Sequence, residues 1–268
     1  MRTLAPGAVG ADVSLLQLQL QKLGLYSGPV DGSFGPATCD AVRNFQKNLG
    51  LAVDGVAGPR TVLALGLTGG RQPLAIPGVT FAVVLRMFPF APAANIEANL
   101  PPVLSALVKP GLTDKSMILM ALSTIRAETE AFEPVSETES ACNTSPGGRP
   151  FDLYENRPDL GNVAPGDGAR YRGRGFVQLT GRINYQQHGA AIGLGDRLTL
   201  EPELANDPEI AARLLASFLK KREARIRGAL GSGELAKARQ FVNGGSNGLG
   251  RFVEAYSIGE KLIPDELA

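Results

Sequence analysis

Apolar residues recur three and four positions apart along most of this chain, and clusters of glycine, proline and aspartate break the pattern into segments. Val13, Leu16, Leu20 and Leu23 form one stripe and Ala41, Val42, Phe45 and Leu49 another, so two amphipathic helices are expected, with a shorter third at 62–65. Ahead of the second and third helices a unit repeats: Val30-Asp31-Gly32-Ser33-Phe34-Gly35-Pro36-Ala37-Thr38 returns as Val53-Asp54-Gly55-Val56-Ala57-Gly58-Pro59-Arg60-Thr61. Asp-Gly turns the chain, and Gly-Pro sets proline at the first helical position, where its missing N–H costs nothing. Three short helices around one small core leave no room for a buried active site, so residues 1–68 read as a binding module or a structural cap.

Glycine and proline then crowd residues 66–78. Residues 69–78 are expected as a linker and 79–268 as a second domain. Helical spacing resumes with Ile96, Leu100, Val103, Leu104 and Leu107, although Pro101 and Pro102 are expected to kink or divide that helix. Met117, Met120, Ala121, Thr124 and Ile125 form the next face, capped by Thr113 or Asp114, and Glu128 closes it on the same side. Ile210, Leu214, Phe218 and Leu219 follow the helix start Asp207-Pro208, and Leu235, Ala238, Phe241 and Val242 precede the stop Asn243-Gly244-Gly245. One short β-like run is expected, at 176–179. The fold class is therefore mainly α, a small three-helix domain joined to a larger helical one with a cleft between two lobes.

Charge is nearly balanced, +1 over 268 residues, so nucleic acid is not the expected partner. The apolar run 79–90 is interrupted by Arg86 and Pro89 and is too short to span a bilayer, and no charged-then-apolar leader opens the chain. A soluble, cytosolically made monomer without stable membrane insertion is expected. Cys39 and Cys142 fall in different segments and read as free thiols. The single histidine, His188, argues against His-rich zinc sites and Ser-His chemistry, and its setting suggests a surface or helix-end residue. No metal or organic cofactor is implied. The basic run 220–227 reads as a solvated helix face.

Carboxylates remain for acid-base work. Apolar walls and the negative helix end around Glu128 favour the protonated carboxyl that a general acid requires; the alternative is a helix-end glutamate in water. Further on, Gly173, Gly175 and Gly181 allow a ligand to approach the backbone, while Gln178, Thr180 and Asn184 offer neutral groups suited to hydroxyls and acetamides. Together they suggest a sugar-cleaving site.

Two resemblances sharpen this. The elements D-G-x-x-G-P-x-T at 31–38 and 54–61 resemble the three-helix peptidoglycan-binding domain. Ala127-Glu128-Thr129, Glu137, the run Tyr171-Arg172-Gly173-Arg174-Gly175-Phe176-Val177-Gln178-Leu179-Thr180 and Val242-Asn243-Gly244-Gly245 resemble glycoside hydrolase family 19, which comprises chitinases and many phage endolysins. This resemblance spans roughly 80–262; the histidine common before the acid is here Ala127, and a common Gly-Gly is here Glu130-Ala131. It implies Glu128 as acid, Glu137 as base, Thr180 as holder of the attacking water, and Gln178, Asn184, Tyr171 and Asn243 as sugar contacts. Arg251 would support the acidic pair. Glu133, Glu139 and Glu155 are alternative bases, and Glu155 sits in a loop able to close over the cleft. The implied activity is inverting hydrolysis of the β-1,4 bonds of peptidoglycan by an endolysin held in the host cytoplasm until lysis and then acting at the periplasm and wall. A chitinase or a bacterial autolysin is the alternative. A peptide-cutting enzyme is disfavoured by too few metal ligands, and a non-catalytic wall binder by the retained acid, base and water-holding side chains.

Overall fold

Two separate hydrophobic cores organise the chain in a computed structural model that describes residues 1–67, 74–243, 245 and 247–266, the side chain of Asn243 excepted. The smaller core joins α1 (Ala11–Lys22), α2 (Pro36–Asn48) and α3 (Pro59–Ala64) around Leu4, Val13, Leu16, Leu20, Phe34, Val42 and Phe45. The first stripe stops one turn earlier than its spacing suggests, because Leu23 already lies at the C-cap and is exposed.

Inside this core sit two buried glutamines, which hold the two repeats in matching ways. Gln17 Nε2 donates to Asp31 Oδ1, the Ser33 carbonyl and Thr38 Oγ1, while its Oε1 accepts from Gly32 N–H. Gln46 does the same with Asp54, Val56, Thr61 and Gly55. Each amide thus satisfies itself and closes one Asp-Gly turn against a helix, so a polar residue inside an apolar stripe stabilises the fold.

The larger core is built on α6 (Lys115–Glu128), in which every residue from Met117 to Ala127 is buried. Asp114 caps its start by accepting from Met117 N–H. Burial alone would raise the Asp114 pKa, but bonds from Arg227, Ser116 and that N–H outweigh it and bring it to about 2. Around α6 lie α4 (Phe81–Met87), α5 (Ala93–Val108), the short α7 (Asp167–Arg170), α8 (Arg182–Ala191), the short α9 (Arg197–Leu200), α10 (Pro208–Gly231), α11 (Leu235–Asn243) and α12 (Leu249–Leu262). The helix α5 runs undivided through Pro101 and Pro102.

The only strands among the described residues are β1 (Val135–Ser136) and β2 (Arg174–Gly175), paired antiparallel with Val135 opposite Gly175. The run 176–179 is therefore not a strand: it is the tight turn after β2, closed by reciprocal backbone bonds between Arg174 and Leu179. Apolar side chains there serve burial, since Phe176 and Leu179 are buried.

The two cores also touch. Arg60, at the start of α3, donates to the carbonyls of Leu85 (2.7 Å) and Phe88 (3.3 Å) at the C-terminal end of α4, whose negative pole attracts a cation, and to that of Ala91 (2.7 Å) just beyond it. Leu63 of α3 belongs to the larger core. The expected linker 69–78 is correspondingly shorter than its composition suggests: Ile76 is buried in the larger core, and residues 68–73 lie outside the described residues.

Candidate active site

The two-stranded ribbon sets one carboxylate and the end of the buried helix sets the other. Glu137 directly follows β1, and its backbone N–H donates to the Gly173 carbonyl at 2.8 Å, which continues the pairing one residue further. Its carboxylate receives three neutral donors: Tyr154 O–H (2.8 Å) and Asn143 Nδ2 (3.0 Å) on Oε1, and Gly173 N–H (3.1 Å) on Oε2. Burial, and then the Glu137 carboxylate, push the Tyr154 phenol well above its ordinary range, so it remains a donor at any physiological pH.

Gly173 is where the predicted residues converge. A Cβ placed on it would lie 2.8 Å from Gln178 Oε1, 3.1 Å from Glu137 Oε2 and 3.2 Å from Thr180 Oγ1. Three polar oxygens therefore converge beside Gly173, close enough that any side chain there would press on them. The Thr180 hydroxyl donates to the Gln178 carbonyl at 2.9 Å, which leaves its lone pairs free to accept. Gln178 adopts a positive φ of 49°, and its amide is anchored on the carbonyls of Val135 and Gly175. The other two glycines of the motif face protein: a Cβ on Gly175 would meet the Ala205 carbonyl, and one on Gly181 the Leu160 carbonyl, each at 2.7 Å.

Glu128 closes α6 with its side chain only 16 % exposed. Its wall is not purely apolar, as the sequence led one to expect. Arg239 of α11, wholly buried, donates from Nη2 to Glu128 Oε1 at 2.6 Å, and also to the Asn247 carbonyl at 3.3 Å. Arg239 adjoins Ala238 on the inner side of an amphipathic helix, and a charged residue beside an apolar stripe was the signal that could have revealed it.

Arg251 takes a neighbouring position. It bonds Glu130 and the Ala127 carbonyl, each at 3.0 Å, and so steadies the helix end that carries Glu128 without contacting the acid. Asn184 donates to the Thr180 carbonyl at 2.7 Å from the first turn of α8. Tyr171 is a correction: it is 1 % exposed, packs against Tyr185 and bonds the Thr199 carbonyl, so it is a core residue and not a sugar contact. Glu155 lies against Gly168 of α7, and its chain neighbour Tyr154 is the residue that reaches Glu137. Glu133 is exposed beside Asn95, and Glu139 is exposed. The side chain of Asn243 lies outside the described residues.

His188 stands in the last turn of α8, the helix-end place its neighbours suggest, but it is not on the surface. It is 2 % exposed, its Nδ1 pairs with Ser217 Oγ at 2.9 Å, and burial, then Lys221 and Arg222, lower its pKa to about 4. Cys39 and Cys142 are free thiols. No helix among the described residues is long and apolar enough to cross a membrane.

Comparison with known proteins separates the two halves of the chain. Residues 9–65 match the family described as putative peptidoglycan binding domain. Over 60 residues the chain is 50 % identical to a spore cortex-lytic enzyme of Oceanobacillus iheyensis, which covers 22 % of each protein. Over 105 residues it is 32 % identical to a glycosyl hydrolase family 19 domain-containing protein of Haemophilus influenzae, covering 39 % of this chain and 48 % of that protein. Among solved structures, a Burkholderia AP3 phage endolysin aligns over 98 % of both chains at 24 % identity with a TM-score of 0.32. The chain thus spans about a fifth of the length of the first of these curated relatives and about half of the second. It combines a module of the peptidoglycan-binding pattern with a helical domain similar in part to family 19 glycoside hydrolases.

Proposed function

We propose that the chain is an inverting glycoside hydrolase that cuts the β-1,4 bonds of peptidoglycan, in the manner of a phage endolysin that reaches the wall when the host is lysed. The observation that carries this reading is the ring of Glu137, Gln178 and Thr180 oxygens around Gly173. A water held between Thr180 Oγ1 and Glu137 Oε2 would donate a hydrogen bond to the first and give its other proton to the second, while its oxygen attacks the anomeric carbon. Three donors keep the Glu137 carboxylate in one orientation while it takes that proton.

On the other side of the bond Glu128 gives its proton to the leaving oxygen. Arg239 is aimed at the negative charge that Glu128 acquires as it does so, the charge a preorganised cation stabilises best in a water-poor site. Gln178 and Asn184 would engage sugar substituents. A chitinase remains the second reading, because chitin shares the β-1,4-linked N-acetylhexosamine backbone; the peptidoglycan-binding pattern at 9–65 favours the wall polymer.

Mass spectrometry of borohydride-reduced products from purified peptidoglycan tests the proposal. New reduced sugar ends are expected, and NMR of the freshly released anomer is expected to show inversion. Free peptides without new reducing ends would overturn the glycosidase reading.

A further inference from the structure

A second concave feature lies away from the ring at Gly173. A groove of about 1080 Å³ runs between the C-terminal end of α5, the second half of α8 and the first half of α10. Its charge is one-sided: Lys109, Arg213, Lys220 and Lys221 line it with a single carboxylate, Glu209. In a chain whose net charge is +1, that is a strong local concentration. The floor between the cations is small and apolar, with Ala106, Ala191 and Ala216.

The basic run that the sequence suggested to be a solvated face divides here into two groups. Arg222 stacks over Phe218 within α10, while Arg225 over Phe241 and Arg227 on Asp114 tie α10 to its neighbours, so these three are engaged. Lys220, which pairs with Glu223, and Lys221 line the groove instead. Among the described residues neither Lys109 nor Lys221 has a carboxylate partner; Lys221 reaches only the Gln187 amide oxygen. In the same wall His188 is buried, with Nδ1 on Ser217 and Nε2 without a hydrogen-bond partner.

The groove begins close to the proposed sugar site. Gln187, its first residue on α8, follows Asn184 by three positions, about 4.5 Å along the helix axis. A four-residue peptide hung from a sugar held at Asn184 spans up to about 13 Å when extended, enough to enter the groove.

We propose that this groove binds the peptide stem of the substrate strand, a short chain of small residues that carries free carboxylates. The cations meet the carboxylates, and the alanine-lined floor meets the methyl groups. This rests on the glycan-cleaving reading above, which names the strand the stem hangs from.

The test titrates a free synthetic stem tetrapeptide into the full chain, and measures cleavage of peptide-bearing strands beside strands stripped of peptide by an amidase. Lys109→Glu with Lys221→Glu is expected to weaken tetrapeptide binding, and to raise KM on peptide-bearing strands, by about tenfold or more, the scale of one lost charge-assisted contact. Cleavage of stripped strands is expected to stay unchanged. Ala191→Phe, which fills the groove and leaves its charge, is expected to give the same selective loss. Tetrapeptide affinity that is undetectable in the parent chain, unchanged in both variants, or matched by random poly-glutamate would overturn the proposal, as would equal losses on the two kinds of strand. Should the parent chain cleave neither kind, the glycosidase reading fails while the tetrapeptide titration still decides the groove.

Discussion

Glu137 is held by a phenol, an amide and a backbone N–H from three different segments, whereas Glu128 ends a helix buried from Met117 to Ala127 and meets one guanidinium. Both side chains are glutamate, and their surroundings differ in kind. Neutral donors fix direction and leave the net charge of the site alone; a cation responds to charge as it develops. On the proposed function these surroundings suit the two glutamates to different roles, Glu137 to take a proton in a fixed line and Glu128 to be stabilised by the guanidinium once its own proton has gone to the leaving oxygen.

The sharpest way to break the comparison is to remove either carboxylate. Glu137→Gln and Glu128→Gln are each expected to lower kcat by about 10²–10⁴-fold, with sedimentation on purified wall unchanged, because acid-base groups contribute on that scale. Gly173→Ala comes next. Its Cβ would enter the space between Glu137, Gln178 and Thr180, and a loss of about 10²-fold in kcat is expected with near-native thermal stability; retained activity would remove that space from the mechanism. Arg239→Met is expected to cost about 10–100-fold in kcat and to alter the pH profile on the limb set by the acid, since it takes away the charge aimed at Glu128. A profile unchanged in shape would make Arg239 a packing residue.

Tyr154→Phe removes one of three donors on Glu137 and leaves two. A loss of about tenfold is expected, from roughly 1.4 kcal/mol of hydrogen bonding, and Asn143→Ala should resemble it.

The smallest effect concerns the fold on which every pH profile rides. His188 is neutral in the folded chain, with its pKa depressed to about 4, so its contribution is complete above its ordinary pKa of 6.5 and is lost as pH falls from there toward 4. The loss is on the order of 1 kcal/mol at pH 5.5, and His188→Gln should flatten the dependence of unfolding free energy on pH across that window.

What the sequence revealed of this site was the one glycine-rich run that carries Gln178 and Thr180 and, through the family resemblance, the two glutamates. Glu137 meets that run from 36 residues away, by the pairing of β1 with β2. Arg239 reaches Glu128 from 111 residues away and Tyr154 reaches Glu137 from 17, with no periodicity to mark either partner. Tyr171 misled because it lies inside the same run and faces the opposite way, into the core. In the small domain the turns repeat 23 residues apart, yet Gln17 and Gln46, which bind them, stand 29 apart. The helices that carry the glutamines sit at different distances from their turns, so the repeat hid its own fastening points.

Arg60 stands at the one place in the repeated Gly-Pro-x-Thr element where the first copy has Ala37. That substitution turns one copy toward the larger domain and leaves the other facing outward. The small domain is thus held to the larger one by side-chain contacts as well as by the chain itself. On the proposed function, a wall polymer gripped by the small domain would be offered to the larger one at a set offset and not over the sweep of a tether.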